Sequence, residues 1–227
     1  MIIDTSDIID PHQKNSIHCF YNLNDSYVFT PLKVCSRSFV RLSDINPSYC
    51  QRTLQYDTDC KLFAITRNPF LRTRALYTQK LLWNVELKMH GFTREIEDID
   101  LNRWQACQTE VINIFGKESF FNRQITFEQF VMEGIPILIN KEHHYFSQNY
   151  FIPEEVNQFF RMENSNEIIE AFNIFSSDVI HTNKSKSYDN IEYTNDMKNL
   201  IYKLYFDDFK RFIFPNFSRK KDTDRTF

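Results

Sequence analysis

Glycine is nearly missing from this chain: Gly91, Gly116 and Gly134 are the only three among 227 residues. A Walker-type loop wraps phosphates with backbone amides that glycine lets come close, and none of the three falls at a strand-to-helix turn. Nucleotide hydrolysis of that type is therefore not expected, and the glycine-rich dinucleotide fingerprint fails for the same reason. Positive charge in excess is lacking too. A net charge of −3 and a pI near 6.1 argue against general affinity for nucleic acid or an anionic membrane. Any anion site has to be local.

The five cysteines, Cys19, Cys35, Cys50, Cys60 and Cys107, are odd in number and never fall in a two-residue-spaced pair. Neither a disulfide framework nor a zinc site is indicated, and reduced thiols in a cytoplasm are the simpler reading. No segment reaches the ~18 apolar residues of a membrane span. The opening "MIIDTSDIIDPHQ" carries three aspartates where a signal peptide needs a basic start and an apolar run. The expectation is a cytoplasmic chain without leader or anchor.

What the chain has in quantity is aromatic side chains, 23 phenylalanines and 11 tyrosines, enough for an aromatic core and for the walls of a cleft. Its length suits one well-buried α/β domain and is short for two. Residues 1–24 are polar and read as a leading arm, 25–215 as the domain, and 216–227 as a charged tail. Within the domain, "SYVFT" predicts a strand and Ser36 to Asp44 a helix. "KLFAITR", Lys61 to Arg67, is an almost continuous apolar run of the kind buried on both faces in a parallel sheet. Asn68 then caps a helix and Pro69 suits its first turn.

That helix runs towards Gly91 with Phe70, Tyr77 and Leu81 on an apolar stripe. Further helices are expected at Arg103 to Phe115, at "TFEQFVMEGI" with Thr126 as cap, and at Glu167 to Phe175. "NQFFRMEN" reads as another strand leading into a loop. A closing helix, Thr194 to Phe212, puts Met197, Leu200, Ile201, Leu204, Tyr205, Phe209 and Phe212 on one side. Strands alternating with helices imply a parallel sheet, whose ligands bind beyond the carboxyl ends of the strands.

Two cationic turns lie at such ends. The first holds Lys33, Val34, the small Cys35, the hydroxyls of Ser36 and Ser38 with Arg37 between them, and the positive end of the following helix. The second, "ITRNPFLR", holds Arg67, Asn68 and Arg72. Two cationic turns on one sheet imply a ligand with two separated anionic groups. Read singly, Lys33 is a solvated lysine at a helix start and Arg72 a structural partner for a carboxylate. His144 alone is an ordinary surface or satisfied buried histidine. Of the adjacent acids Asp207 and Asp208, which point about 100° apart on a helix, one is read as a helix cap or ion-pair partner and the other as solvated.

In their order along the chain these segments resemble the sulfotransferases that use 3′-phosphoadenosine 5′-phosphosulfate (PAPS), in particular the carbohydrate sulfotransferase branch and its bacterial relatives. "PLKVCSRSF" resembles the family's 5′-phosphosulfate loop, and "FAITRNPFLRTRALY" is similar to its 3′-phosphate motif. "TFEQFV", "HYFSQ", "FRMEN" and "LYFDDFKRF" follow in the family's order, so that the likeness spans Tyr27 to Phe214. Three positions depart from the pattern. Leu32 separates the proline from the lysine, Arg37 stands where a small hydroxyl residue is common, and Ala75 replaces a serine. Ser36 and Ser38 still supply hydroxyls, and Arg74 lies beside Ala75.

The resemblance implies a three-layer, P-loop-like α/β fold with a central parallel sheet flanked by helices. It implies an enzyme moving a sulfuryl group from PAPS to a hydroxyl on a small molecule, saccharide or glycoconjugate, with no metal. Lys33 would steady the leaving phosphate oxygen. His144, from "HYFSQ", is the expected base, with His143 and Glu163 as alternatives. Cofactor contacts fall to Lys33, Val34, Cys35, Ser36, Arg37, Ser38, Arg67 and Arg74. The stretch His181 to Asn190 is read first as an ordinary polar loop, and alternatively as one that closes on the nucleotide through Lys184 and Ser185. Two rival classes stay open: a nucleotide- or glycan-binding module without catalysis, and a kinase-like nucleotide enzyme.

Overall fold

Three parallel strand ends organise the molecule, and they arise from the strands that carry its densest apolar sequence. The computed structural model describes residues 2–4, 19–22, 26–31, 34, 36–45, 47, 50–83, 106–172, 191–212 and 214. In chain order the strands among them are β1 (Ile2–Asp4), β2 (Cys19–Asn22), β3 (Ser26–Phe29), β4 (Cys50–Thr53), β5 (Gln55–Asp57), β6 (Lys61–Thr66) and β7 (Gln158–Arg161). β1 and β5 pair antiparallel by themselves, Ile3 opposite Tyr56. The other five form one mixed sheet in the order β4-β2-β3-β6-β7.

The expected all-parallel sheet is corrected here. β3, β6 and β7 are parallel, with Phe29 opposite Ala64 and Thr66 opposite Arg161. β2 is antiparallel to both β3 and β4. The cause is chain length: three residues separate Asn22 from Ser26, whereas a parallel neighbour needs a crossover of about a dozen or more. β2 also lies within the segment read as a leading arm, and its Cys19 and Phe20 are wholly buried.

Side chains alternate across the sheet, and helices cover both faces. Cys19, Phe29, Leu62 and Ala64 face one cluster, while Phe20, Val28, Phe63 and Ile65 face the other. The second cluster is closed by helix α1 (Ser36–Ile45) through Phe39 and by the short helix after β7 through Ile168 and Phe172. Phe172 meets Phe39 and Phe63 edge-on, at centroid distances of 6.0 and 5.5 Å. Such pairs add about 0.5–1.5 kcal/mol each beyond simple burial.

The larger cluster takes the remaining helices: α2 (Pro69–Leu76), which continues as a wider π-helical segment Tyr77–Trp83, then α3 (Ala106–Phe115) and α4 (Lys117–Phe121). α5 (Phe127–Gln129) opens on a capping box between Thr126 and Gln129 and runs on through Phe130–Gly134 and Ile135–Leu138. The helix after β7 is α6 (Ser165–Ala171). The closing helix is broken at Tyr205 into α7 (Asn195–Leu204) and α8 (Phe206–Phe212). Met197, Ile201, Tyr205, Phe209 and Phe212 face inward, as their spacing predicts, while Leu200 and Leu204 of the same expected face are half-buried. The fold is thus α/β with a mixed sheet flanked by helices. No helix among the described residues is long and apolar enough to cross a membrane. The stretch 181–190 and the tail 216–227 lie outside the described residues.

Candidate functional site

β3 and β6 are adjacent and parallel, so the turns that follow them leave the same edge of the sheet with no strand between. Neighbouring strands are about 4.8 Å apart, which sets the two strand ends side by side. After β3 the chain turns at Pro31, whose carbonyl accepts from the Val34 amide at 3.1 Å, and α1 begins at Ser36. Val34 is fully buried in the smaller cluster, which assigns its side chain to packing. Ser36, Arg37 and Ser38 form the first turn of α1. Lys33 and Cys35 lie outside the described residues, as do Lys184 and Ser185. Neither α1 nor α2 has an acidic residue in its first turn, so neither positive helix end is neutralised from within.

The second turn is held with unusual completeness. Asn68 caps α2, its Oδ1 accepting from the Phe70 amide at 3.0 Å, with Pro69 at the first helical position. The Arg67 amide donates to Gln148 Oε1 at 2.8 Å, and Gln148 Nε2 donates back to the Arg67 carbonyl at 2.7 Å. A side-chain amide here does what a neighbouring strand would do. The Asn68 amide donates to Glu163 Oε1 at 3.1 Å, just beyond β7. Four segments distant in sequence, "ITRNPFLR", "HYFSQ", "FRMEN" and "FDDF", therefore meet at the carboxyl end of the sheet.

Asp208 is the fourth contributor. Wholly buried, its carboxylate accepts from Ser147 Oγ, from the Gln148 amide at 3.0 Å, from Gln148 Nε2 at 3.2 Å and from the Asn149 amide at 2.8 Å. It closes the start of the 3₁₀ turn Gln148–Phe151, while Asp207 is exposed. This is the division into one cap and one solvated acid that the sequence predicts. Arg67 and Arg74 are half-buried. Both bear on the hydroxyl of half-buried Tyr193, which desolvation pushes up and these two cations, Arg74 the more strongly, pull back.

The histidines occupy a second, linked position. Arg72 is 1% exposed and donates to the carbonyls of Phe146 at 2.7 Å and His144 at 3.0 Å, so it is a structural clamp on this loop. Glu142, which the sequence reading did not single out, is also buried. It accepts from His144 Nδ1 at 2.8 Å and from the His144 amide at 2.9 Å, and its Oε1 lies 3.0 Å from His143 Nδ1, an ion-pair distance. An acid directly before two histidines was the available signal. Burial raises the Glu142 carboxyl above its usual range, against the pull of His143, the His144 amide, Lys80 and Arg72. Burial likewise lowers His143, which Glu142 partly restores.

Cys107, Glu142 and His144 bring one donor atom each within 4.8 Å of one another, a set with zinc-type chemistry. The carboxylate is already engaged by two imidazoles and an amide, and buried Lys80 and Arg72 place two fixed cations around it. A further dication would have to overcome both. No family model matches the chain, and neither a curated protein nor a solved structure matches it.

Proposed function

We propose that the chain is a PAPS-dependent sulfotransferase that sulfates a hydroxyl, on a saccharide or glycoconjugate, at the carboxyl edge of β3, β6 and β7. The observation that carries the reading is that β3 and β6, from whose carboxyl ends the two turns leave, are parallel neighbours. One turn suits the 5′-phosphosulfate and the other the 3′-phosphate of a single adenosine ligand. A ligand with two anionic groups fits two such corners better than a simple monophosphate does. The P-loop-like fold assignment belongs to this proposal.

In the reaction the acceptor oxygen attacks sulfur in line. The bond from sulfur to the bridging phosphate oxygen breaks, a new sulfur–oxygen bond forms, and the hydroxyl proton passes to a base. By analogy with phosphoryl transfer, the protein's task is positioning and charge stabilisation. Lys33 meets the charge that grows on the leaving phosphate oxygen, an interaction strongest in the transition state. Arg67 and Arg74 hold the far end of the nucleotide. His144 is the base: with Nδ1–H given to Glu142, the neutral ring carries its lone pair on Nε2. Glu163 supports the Asn68 amide and keeps the second turn in place.

The deciding experiment compares thermal unfolding with 3′,5′-adenosine bisphosphate, ADP and ATP. A ligand that binds only the folded state stabilises it by about 2.7 kcal/mol at a hundred times its Kd. The bisphosphate is expected to raise the midpoint well beyond ADP or ATP. A larger shift with magnesium ATP would point to the kinase-like class and overturn the proposal.

A further inference from the structure

A carboxylate in α8 is bonded, through one glutamine, to the backbone of the second cationic turn. Asp208 accepts from both the amide and the side-chain Nε2 of Gln148, and the same Nε2 donates to the Arg67 carbonyl while Oε1 accepts the Arg67 amide. Asp208 and Gln148 are both wholly buried, so no water competes for these bonds. The Gln148 amide can be oriented in only one way: Asp208 requires its NH₂ on one side, and that choice presents Oε1 to the Arg67 N–H.

We infer that Asp208 and Gln148 are positioning residues for anion binding, a relay in which α8 fixes the direction of the Arg67–Asn68 backbone and with it the grip on the ligand's second anionic group. The ligand half of this inference rests on the proposed sulfotransferase reading. The relay itself rests only on the bonds above. A local turn without it would keep its Asn68 cap and Pro69 but lose the partner that pins Arg67 to the end of β6. A displacement of about 1 Å at such a residue is enough to change ligand geometry.

The test uses Gln148→Met and Asp208→Asn beside a matched control, Gln108→Met. Gln108 is also a wholly buried amide that donates to a backbone carbonyl at 2.9 Å, but that carbonyl belongs to Lys80 in the π-helical segment Tyr77–Trp83 rather than to the turn. Amide hydrogen exchange at Arg67 in the full chain without ligand should quicken in both relay variants and stay unchanged in the control. The Kd for 3′,5′-adenosine bisphosphate should rise about tenfold in Gln148→Met and hold within about twofold in Gln108→Met at comparable loss of stability. Should Asp208→Asn fail to fold, Gln148→Met carries both readouts. Unchanged exchange at Arg67 in folded Gln148→Met overturns the relay. Faster exchange with an unchanged Kd overturns its role in binding. If the wild type binds no bisphosphate, the sulfotransferase reading falls, while the exchange result still decides the relay.

Discussion

Arg72 is joined to His144 through the backbone, its guanidinium donating to the His144 carbonyl at 3.0 Å and to the Phe146 carbonyl at 2.7 Å from a site that is 1% exposed. Burial lowers the pKa of this arginine, against the influence of Tyr205, Asp208 and Glu142. Arg72→Met would remove the guanidinium donor from both carbonyls, and Arg72→Lys cannot span both from a single ammonium. Both variants are expected to lose about 3 kcal/mol in urea unfolding. A loss below about 1 kcal/mol would show that the clamp contributes little.

Lys33→Ala tests the chemical step. If the lysine acts only as charge accumulates on the leaving oxygen, kcat should fall by about 10²–10³-fold with the unfolding midpoint preserved. Undiminished turnover in a folded variant removes Lys33 from the mechanism.

Acid stability should depend on His143. Its folded pKa is depressed, chiefly by burial, so between that value and the unfolded value near 6.5 the unfolded chain binds more protons. Its contribution is fully present above the unfolded pKa and is lost as pH falls through this window. Glu142 has the opposite sign: its folded pKa is raised, so its contribution is lost as pH rises from 4.5 through the folded value. The groups around the pair are His144, Lys80, Arg72 and Cys107. In urea unfolding at pH 7.5 and pH 5.5, His143→Gln should lose less stability on acidification than the wild type. An equal or larger loss would exclude His143 as the source.

Thiol chemistry should single out one described cysteine. Burial pushes Cys50 up to about 12 and Cys19 higher still, and Cys107 is wholly buried, whereas Cys60 is half-buried on the turn after β5. Among these four, alkylation of the native protein at pH 8 should label Cys60 first, with the others reacting only after denaturation. Peptide mass spectrometry reads the order directly. Early labelling of Cys19 would mean that β2 is less firmly seated than its burial implies.

Legibility in the sequence followed the range of the interaction. The β6–α2 junction was readable because its signals are contiguous: an apolar run, then Asn68 and Pro69. Thr126 was legible as a cap from its place before the helix, and most of the inward face of α7 and α8 followed from spacing. β2 was not readable. "CFYN" is four residues within a polar stretch, and its burial comes from β3 and β4 on either side. The break at Tyr205 was missed as well. Its hydroxyl donates to the Tyr145 carbonyl, sixty residues earlier in the chain, at 2.8 Å.

The candidate site divides in the same way. The sequence by itself determined which segments bear its polar groups, Arg67 with Asn68, His144 with Gln148, Glu163 and Asp208, because residue type and local pattern are one-dimensional properties. Only the tertiary structure decided that Gln148 faces Arg67 across 81 positions, that Arg72 clamps the histidine loop, and that one oxygen of Glu142 meets both imidazoles. Those bonds exist because strand order and helix packing exclude water and bring remote donors to one acceptor, and no local stretch of sequence encodes that distance.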